Sequence, residues 1–428
     1  MIVKELTNLR DTPVIVVNDD VHKEFKIAII RSKYVVFPVC VMPASHPDVN
    51  VRIKSNEVFV SSKVLEAAQA SLEDLDIKFV SEGLFVYGTL LSEYITPDGR
   101  VWRGWGGLDR FPRVRGVIRD YIIYYDGIPY AVCQGASEIL GEVYFDVSED
   151  VMRMIDGVER KAGYKEIMTQ ATIIENFPLI ESINVKLYEY EGKPRGLRMR
   201  TMLFGDAFSI HGKMVYFEHN KYFSVLRGNC PIVITAPHGG YYRSSDFPKK
   251  CLCEADEETY ELAMNLVKEI YKLSNKHHVP SAVLARIHRS RVDLNREEDF
   301  SASAIARKYH DIIAELTYKR KALLVDIHGM SIDHEDDIEI GTNLGRSISG
   351  EKEIINMLVD NLEKEGFSVC VDKKFTGGFT IRKHGGKENI IAIQIEINKR
   401  LRTFEKYRDT AEKLARALWE VLLLNESI

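Results

Sequence analysis

The sequence predicts a multidomain protein of mixed α/β and α+β class, and three observations lead there. Its 428 residues exceed what one core usually serves and point to about two to four domains. Strand-like apolar runs dominate up to about residue 213, and beyond it such runs alternate with long amphipathic helices. Hydrophobic residues make up 45% and charged residues 28%, the balance of an ordinary globular chain.

Residues 1–82 read as a small α+β unit. "TPVIVV", "FKIAII", "YVVFPVCVM" and "EVFVSS" have strand character, and "SKVLEAAQASLEDL" has helical spacing. His46 and Asp48 in "SHPDVN" read as solvated loop residues, and no titratable cluster gives this unit a role. Residues 83–195 are mostly strands separated by the turns "PDGR", "YDGIP" and "YEGKP", with one helix near "SEDVMRMIDGVER". Ser148 suits that helix as its N-cap, and Glu149 and Asp150 suit its first turn. A mostly antiparallel, barrel-like sheet is the economical reading. Residues 196–213, basic and punctuated by Gly, read as a connector.

Residues 214–428 predict a doubly wound α/β sheet. "PIVITAP", "SAVLARI", "KALLVDIHG", "FSVCVD" and "NIIAIQIEIN" are near-continuous apolar runs, as strands covered on both faces should be. Between and after them, "DEETYELAMNLVKEIYKLSNK", "SASAIARKYHDIIAELTYKRK", "SGEKEIINMLVDNLEKEG" and "FEKYRDTAEKLARALWEVLLLN" carry apolar residues at three- and four-residue spacing. In such sheets ligands bind beyond the carboxyl ends of the strands.

Composition excludes some classes of function. A net charge of −5 argues against a global electrostatic claim on nucleic acid or an acidic membrane surface. No apolar stretch approaches the ~20 residues that span a bilayer, and the charged N-terminal residues are no secretory signal, so a cytoplasmic location is expected. The six Cys are scattered and read as free thiols, including Cys251 and Cys253, whose C-x-C spacing lacks the second pair of a zinc knuckle. The number of chains that assemble is left open.

The strand ends of the last segment carry the chemistry. His238 follows "IVITAP", Arg291 to Arg296 follow "AVLARI", His328 follows "LLVDI", and Glu396 lies in "IAIQIEIN". Catalytic zinc takes about three His and carboxylate ligands, leaving one position for water. His238 and His328 supply nitrogens, and Asp256 in "CEADEETYE" is the best acid, with Glu254 and Glu257 as rivals. Glu396 suits a general base, Asn295 and Arg296 a clamp for a substrate carboxylate, and Arg291 a donor to a developing oxyanion. Each has a plainer alternative: Arg296 could pair with Glu297 or Asp293, and Glu396 with Lys399 or Arg400. His334 and His384 read as loop residues, with the Gly pair of "TGGF" able to close over a ligand.

Taken in order, "VITAPHGG", "EADEETYELA", "SRVDLNR", "LLVDIHGM", "IEIGT", "TGGFTIRKHG" and "AIQIEIN" resemble the N-formylglutamate amidohydrolase family, whose fold is similar to that of zinc carboxypeptidases. The resemblance implies a zinc site at His238, Asp256 and His328, a carboxylate clamp at Asn295 and Arg296, and Glu396 as the base. It implies one divalent ion, zinc, with Mn, Co or Fe also able to occupy such ligands, and a small N-acyl amino acid or related carboxylate-bearing amide as substrate. Here Gly239, Gly240, Tyr241 and Tyr242 follow His238 where the family often has Ser or Ala and then Gly, so the pocket need not be shaped for formylglutamate.

"FVYGTLL", followed by "GEVYFDVSEDVMRMIDGVERKAGYKE", resembles the gamma-glutamylcyclotransferase-like family. That resemblance implies a substrate loop at Tyr87, Gly88, Thr89 and Leu90, Glu159 as acid/base, and a γ-glutamyl amide as substrate. Arg160 stands where the family usually has Gly, and an ion pair with it would depress the Glu159 pKa. Three readings therefore stand side by side: an amidohydrolase, a cyclotransferase releasing 5-oxoproline, and a module that binds a glutamyl metabolite without turnover.

Overall fold

The computed structural model describes residues 1–49, 51–318, 321–387 and 389–424. Asn50, Lys319, Arg320 and Asn425 of the segments quoted above lie outside the described residues. The protein is a mixed α/β chain of two compact units, Met1–Tyr216 and Phe217–Ile428.

Met1–Tyr216 holds two sheets. The first has six strands in the order Ile2–Leu6, Glu57–Ser61, Val14–Val17, Val36–Pro43, Ile27–Arg31 and Asp76–Val80. The helix expected over "SKVLEAAQASLEDL" stops at Ala68, because Gln69 turns left-handed at φ 50°, and only a 3-10 turn, Leu72–Asp74, follows.

The second sheet closes on itself as a barrel. Pro129–Tyr144 pairs with Glu82–Val86, then Ser182–Tyr190, Tyr164–Ile173 and Arg113–Tyr125 follow, and Arg113–Tyr125 pairs back onto Pro129–Tyr144. Closure removes exposed edges, and the barrel fills with apolar side chains such as Phe85, Ile118, Val143 and Leu187. The helix Glu149–Lys161 buries Val151 and Ile155; Ser148 is its N-cap residue, but the hydroxyl makes no capping hydrogen bond. The expected connector is structured instead. Leu197–Met199 adds a strand to Arg113–Tyr125, and Met202, Leu203, Phe204 and Phe208 are buried. Their apolar spacing was masked by the surrounding Arg and Gly.

Phe217–Ile428 is built on eight strands, ordered Glu218–His219, Phe223–Leu226, Ser281–Ala285, Ile232–Ala236, Ala322–Met330, Ile390–Asn398, Ile338–Gly341 and Val369–Val371. The four central strands are mutually parallel, and Phe223–Leu226 and Ile338–Gly341 flank them antiparallel. The helix Ala304–Thr317 packs Tyr309 and Ile313 against Val233, Val283 and Leu324. Neither flanking strand was expected, since each spans only four residues. "FSVCVD" is an edge strand left partly exposed, not a strand covered on both faces.

Cys251 and Cys253 are joined by a disulfide, contrary to the expectation of free thiols. The extended loop sets their Cα atoms 5.3 Å apart, within bridging range. No helix among the described residues is long and apolar enough to cross a membrane.

Candidate functional site

A cleft of about 270 Å³ opens on the sheet of Phe217–Ile428, lined by His238, Asp256, Arg289, Arg296, His328 and Glu396 among others. His238 is reached by the turn that leaves the strand Ile232–Ala236. A Cβ at Gly239 would lie 2.5 Å from Tyr260 N, and one at Gly240 would lie 2.4 Å from the Arg286 main chain. Glycine at both positions lets the turn lie flat against its neighbours. Asp256 sits in the loop just before the helix Thr259–Leu273, tied by its backbone N–H to the His238 carbonyl at 3.0 Å. His328 and Glu396 lie within their strands rather than beyond them, and they are register partners on adjacent parallel strands.

His238, Asp256 and His328 are all buried, and each offers a ligand atom within 4.8 Å of the others. Asp256 Oδ2 lies 3.3 Å from His238 Nδ1 and 3.1 Å from His328 Nδ1. The far side of each imidazole faces another carboxylate: His238 Nε2 lies 2.7 Å from Asp293 Oδ1, and His328 Nε2 lies 3.1 Å from Asp326 Oδ2. Asp326 is held in turn by Thr235 Oγ1 at 2.6 Å. An imidazole that donates Nε2–H to a carboxylate points the Nδ1 lone pair inward. His238 Nδ1 is buried and, among the described residues, completes no hydrogen bond, Asp256 Oδ2 lying 3.3 Å away. Two nitrogens and one carboxylate oxygen around a common point suit a divalent ion.

The charges act on one another strongly. Burial alone would raise the Asp256 carboxyl, but the neighbouring His238 and His328 hold it well below the usual range. Asp293 follows the same pattern, with burial opposed by His238 and then Arg289. Burial disfavours a charged His328, yet Asp326 and Asp256 lift its pKa well above the ordinary value. Burial raises Glu396, whose Oε1 accepts a 2.7 Å hydrogen bond from Gln394. Its two suggested salt-bridge partners are engaged elsewhere, Lys399 with Glu257 and Arg400 with Asp337.

The remaining expectations divide. Glu254 is exposed and Glu257 pairs with Lys399, so Asp256 is the acid brought to the histidines. Arg296 lines the cleft with Nε 3.2 Å from Asp293, the plainer pairing anticipated for it. Asn295 Oδ1 accepts from Thr380 N and Oγ1, which leaves Nδ2 3.0 Å from His328 Nε2. Arg291 is not among the lining residues; its guanidinium donates to the Phe247 carbonyl at 3.0 Å. Arg289 lines the cleft instead, donating to Asp256 at 3.1 Å and Asp293 at 3.3 Å. Spacing could not distinguish the two arginines on an irregular turn. Asp326 could have been found, because a residue two before His328 on a strand shares its face.

His334 lies in a loop, as expected, with Nε2 3.1 Å from buried Glu339. His384 does not: it ends the helix Phe379–His384, buried against His310 with Nε2 3.0 Å from His310 Nδ1. Burial lowers the pKa of these two imidazoles to about 4 for His310 and about 3 for His384.

The barrel unit has its own cavity, of about 330 Å³, lined by Tyr87, Gly88, Thr89, Leu90 and Glu159 together with aromatic and aliphatic side chains. Glu159 is half-buried, and that desolvation raises its pKa from 4.5 to about 7. The feared depression by Arg160 is absent, since Arg160 turns toward Glu166 at 3.9 Å. Tyr87, Tyr164 and Tyr188 donate their hydroxyls to Tyr188 O, Pro129 O and Asp156 respectively.

Residues 302–402 match the family model for N-formylglutamate amidohydrolase, and residues 84–203 match that for gamma-glutamyl cyclotransferase, AIG2-like. The chain joins two family resemblances. The amidohydrolase-like match includes His328 and Glu396 and begins after His238, Asp256 and Arg296, whereas the cyclotransferase-like match spans Tyr87 to Leu90 and Glu159. Both families act on small-molecule amides. An N-formylglutamate amidohydrolase from Ralstonia eutropha is 16% identical over 48% of this chain and 97% of its own, with a TM-score of 0.38. A bacteriophage poly-gamma-glutamate hydrolase is 17% identical over 47% and 90%, with a TM-score of 0.30. An uncharacterized protein from Pyrococcus horikoshii is 24% identical over 28% and 86%, with a TM-score of 0.21. No curated protein matches the sequence.

Proposed function

We propose that Phe217–Ile428 is a metal-dependent amidohydrolase, of zinc-carboxypeptidase-like type, that cleaves the amide of an N-acyl amino acid or related small carboxylate-bearing amide. The supporting observation is the meeting of His238, Asp256 and His328 at one point beside Glu396. These three residues would hold the ion, zinc by preference of its ligands, which supplies Lewis acidity at the scissile carbonyl and makes water more acidic. Glu396 Oε2 takes a proton from the attacking water and passes it to the leaving nitrogen. Arg289 stabilises the developing oxyanion in the place first assigned to Arg291, while Arg296 and Asn295 Nδ2 hold the substrate carboxylate. The purified protein should carry about one metal ion per chain, lose amide hydrolysis on chelation, and lose both metal and activity in His238→Ala. Full hydrolysis by a metal-free His238→Ala sample would overturn the proposal.

A second reading is supported by the Glu159 cavity: a cyclotransferase acting on γ-glutamyl amides, with the substrate's glutamyl end on Tyr87 to Leu90. The α-nitrogen attacks the γ-carbonyl carbon, the bond to the amine breaks, and 5-oxoproline and free amine leave. Two protons depart the α-nitrogen and two arrive on the leaving nitrogen, with Glu159 as the carrier, and no water is consumed. A carboxyl titrating near neutrality suits that relay. Glu159→Gln should stop 5-oxoproline release; saturable binding without turnover by wild type would favour the binding-module reading. Residues 1–82, 83–195 and 214–428 are the proposed domains of the chain, with 196–213 packed onto the second of them instead of serving as a connector, and the first has no assigned role.

A further inference from the structure

The barrel cavity contains one acid and no Arg, Lys or His among its lining residues. Its three tyrosine hydroxyls are committed to Tyr188 O, Pro129 O and Asp156, so the rings contribute apolar surface to the walls. At the mouth stand Trp105, Ile128 and Val158, which remain 36%, 55% and 42% exposed. The indole is fixed, because Trp105 Nε1 donates to Thr89 Oγ1 at 3.0 Å and Trp105 N donates to Thr89 O at 3.1 Å. The residue that anchors Trp105 thus belongs to the loop assigned to the glutamyl end.

We infer that the amine released from this cavity is bulky, apolar and uncharged beyond its nitrogen, an arylalkylamine by class, packed on Trp105 between Ile128 and Val158. The inference rests on the cyclotransferase reading. With the glutamyl end on Tyr87 to Leu90, the leaving half faces the mouth and meets these three side chains. An arylalkyl group removes exposed apolar surface from water and gains an aromatic contact with a ring already held in place. A methylamine leaves that surface wet. An amino acid as leaving group places a second carboxylate at the mouth, against the side chains of Trp105, Ile128 and Val158, which offer it neither a cation nor a hydrogen-bond donor left free.

The test compares 5-oxoproline release from γ-glutamyl-phenethylamide, γ-glutamyl-methylamide and γ-glutamyl-glycine by the full chain. kcat/KM should be about 10- to 100-fold higher for the phenethylamide than for the other two. Trp105→Ala should erase most of that preference, lowering kcat/KM for the phenethylamide far more than for the methylamide. Ile128→Ser, at an exposed position where folding is not at stake, should narrow it about threefold. Equal use of the three amides, or a preference for γ-glutamyl-glycine, would overturn the inference and leave the cyclotransferase standing. No 5-oxoproline from any of them would overturn the cyclotransferase and the inference with it.

Discussion

The two cavities place a carboxylic acid in opposite surroundings. In the sheet cleft, Asp256 and Asp293 are buried among imidazoles and guanidiniums and are held ionised. In the barrel cavity, Glu159 is half-buried among rings and aliphatic side chains and is held neutral to about pH 7. Burial disfavours charge in both places, and the neighbours decide the outcome. One cavity keeps its acids charged, and the other keeps its acid neutral up to about pH 7.

The sharpest way to break this contrast is to remove His238. His238→Ala should take metal content from about one ion per chain to near zero, read by elemental analysis of the untreated protein. Next come the two acids exchanged for amides. Glu396→Gln should lower amide hydrolysis, and Glu159→Gln should lower 5-oxoproline release, each by about 10²- to 10⁴-fold, with the other reaction unchanged. A variant that silences both reactions would show that the sites are not independent.

Smaller effects should follow from the carboxylates behind the imidazoles. Asp293→Asn and Asp326→Asn each replace the carboxylate facing a histidine Nε2 by a neutral amide and should weaken metal binding by about 10- to 100-fold, measured by competition with a chelator. Glu159 gives the subtlest prediction. Because its folded pKa is raised from 4.5 to about 7, its contribution to stability is complete below about pH 4.5 and is lost as pH rises through 7. Glu159→Gln should therefore match wild type near pH 4 and exceed it by roughly 1–3 kcal/mol at pH 8, after allowing for solvent screening, in urea unfolding followed at both pH values.

Much of the geometry of the candidate metal site was legible because its residues ride on strong periodic signals. His328 and Glu396 sit on apolar strands that could be placed from sequence, and His238 follows a third. Asp256 could be narrowed to a short acidic stretch but not selected, since the choice depends on where the loop folds back to the His238 carbonyl. Arg289 and Arg291 lie on an irregular turn, where neither a helical nor a strand period tells which side chain faces the cleft. Trp105 belongs to a loop far from Glu159 in sequence, and only closure of the barrel unit brings both to one cavity. The 196–213 stretch was misread for the reverse reason, because its basic residues obscured side chains that the fold buries.

The pairing of His328 with Glu396 across adjacent strands carries a consequence for any redesign of this protein. Sliding either strand by one position would rotate one of the two side chains to the far face of the sheet, among the helices. Inserting a single residue into Ile390–Asn398 ahead of Glu396 should thus be more harmful than inserting two, because the pair restores the original facing.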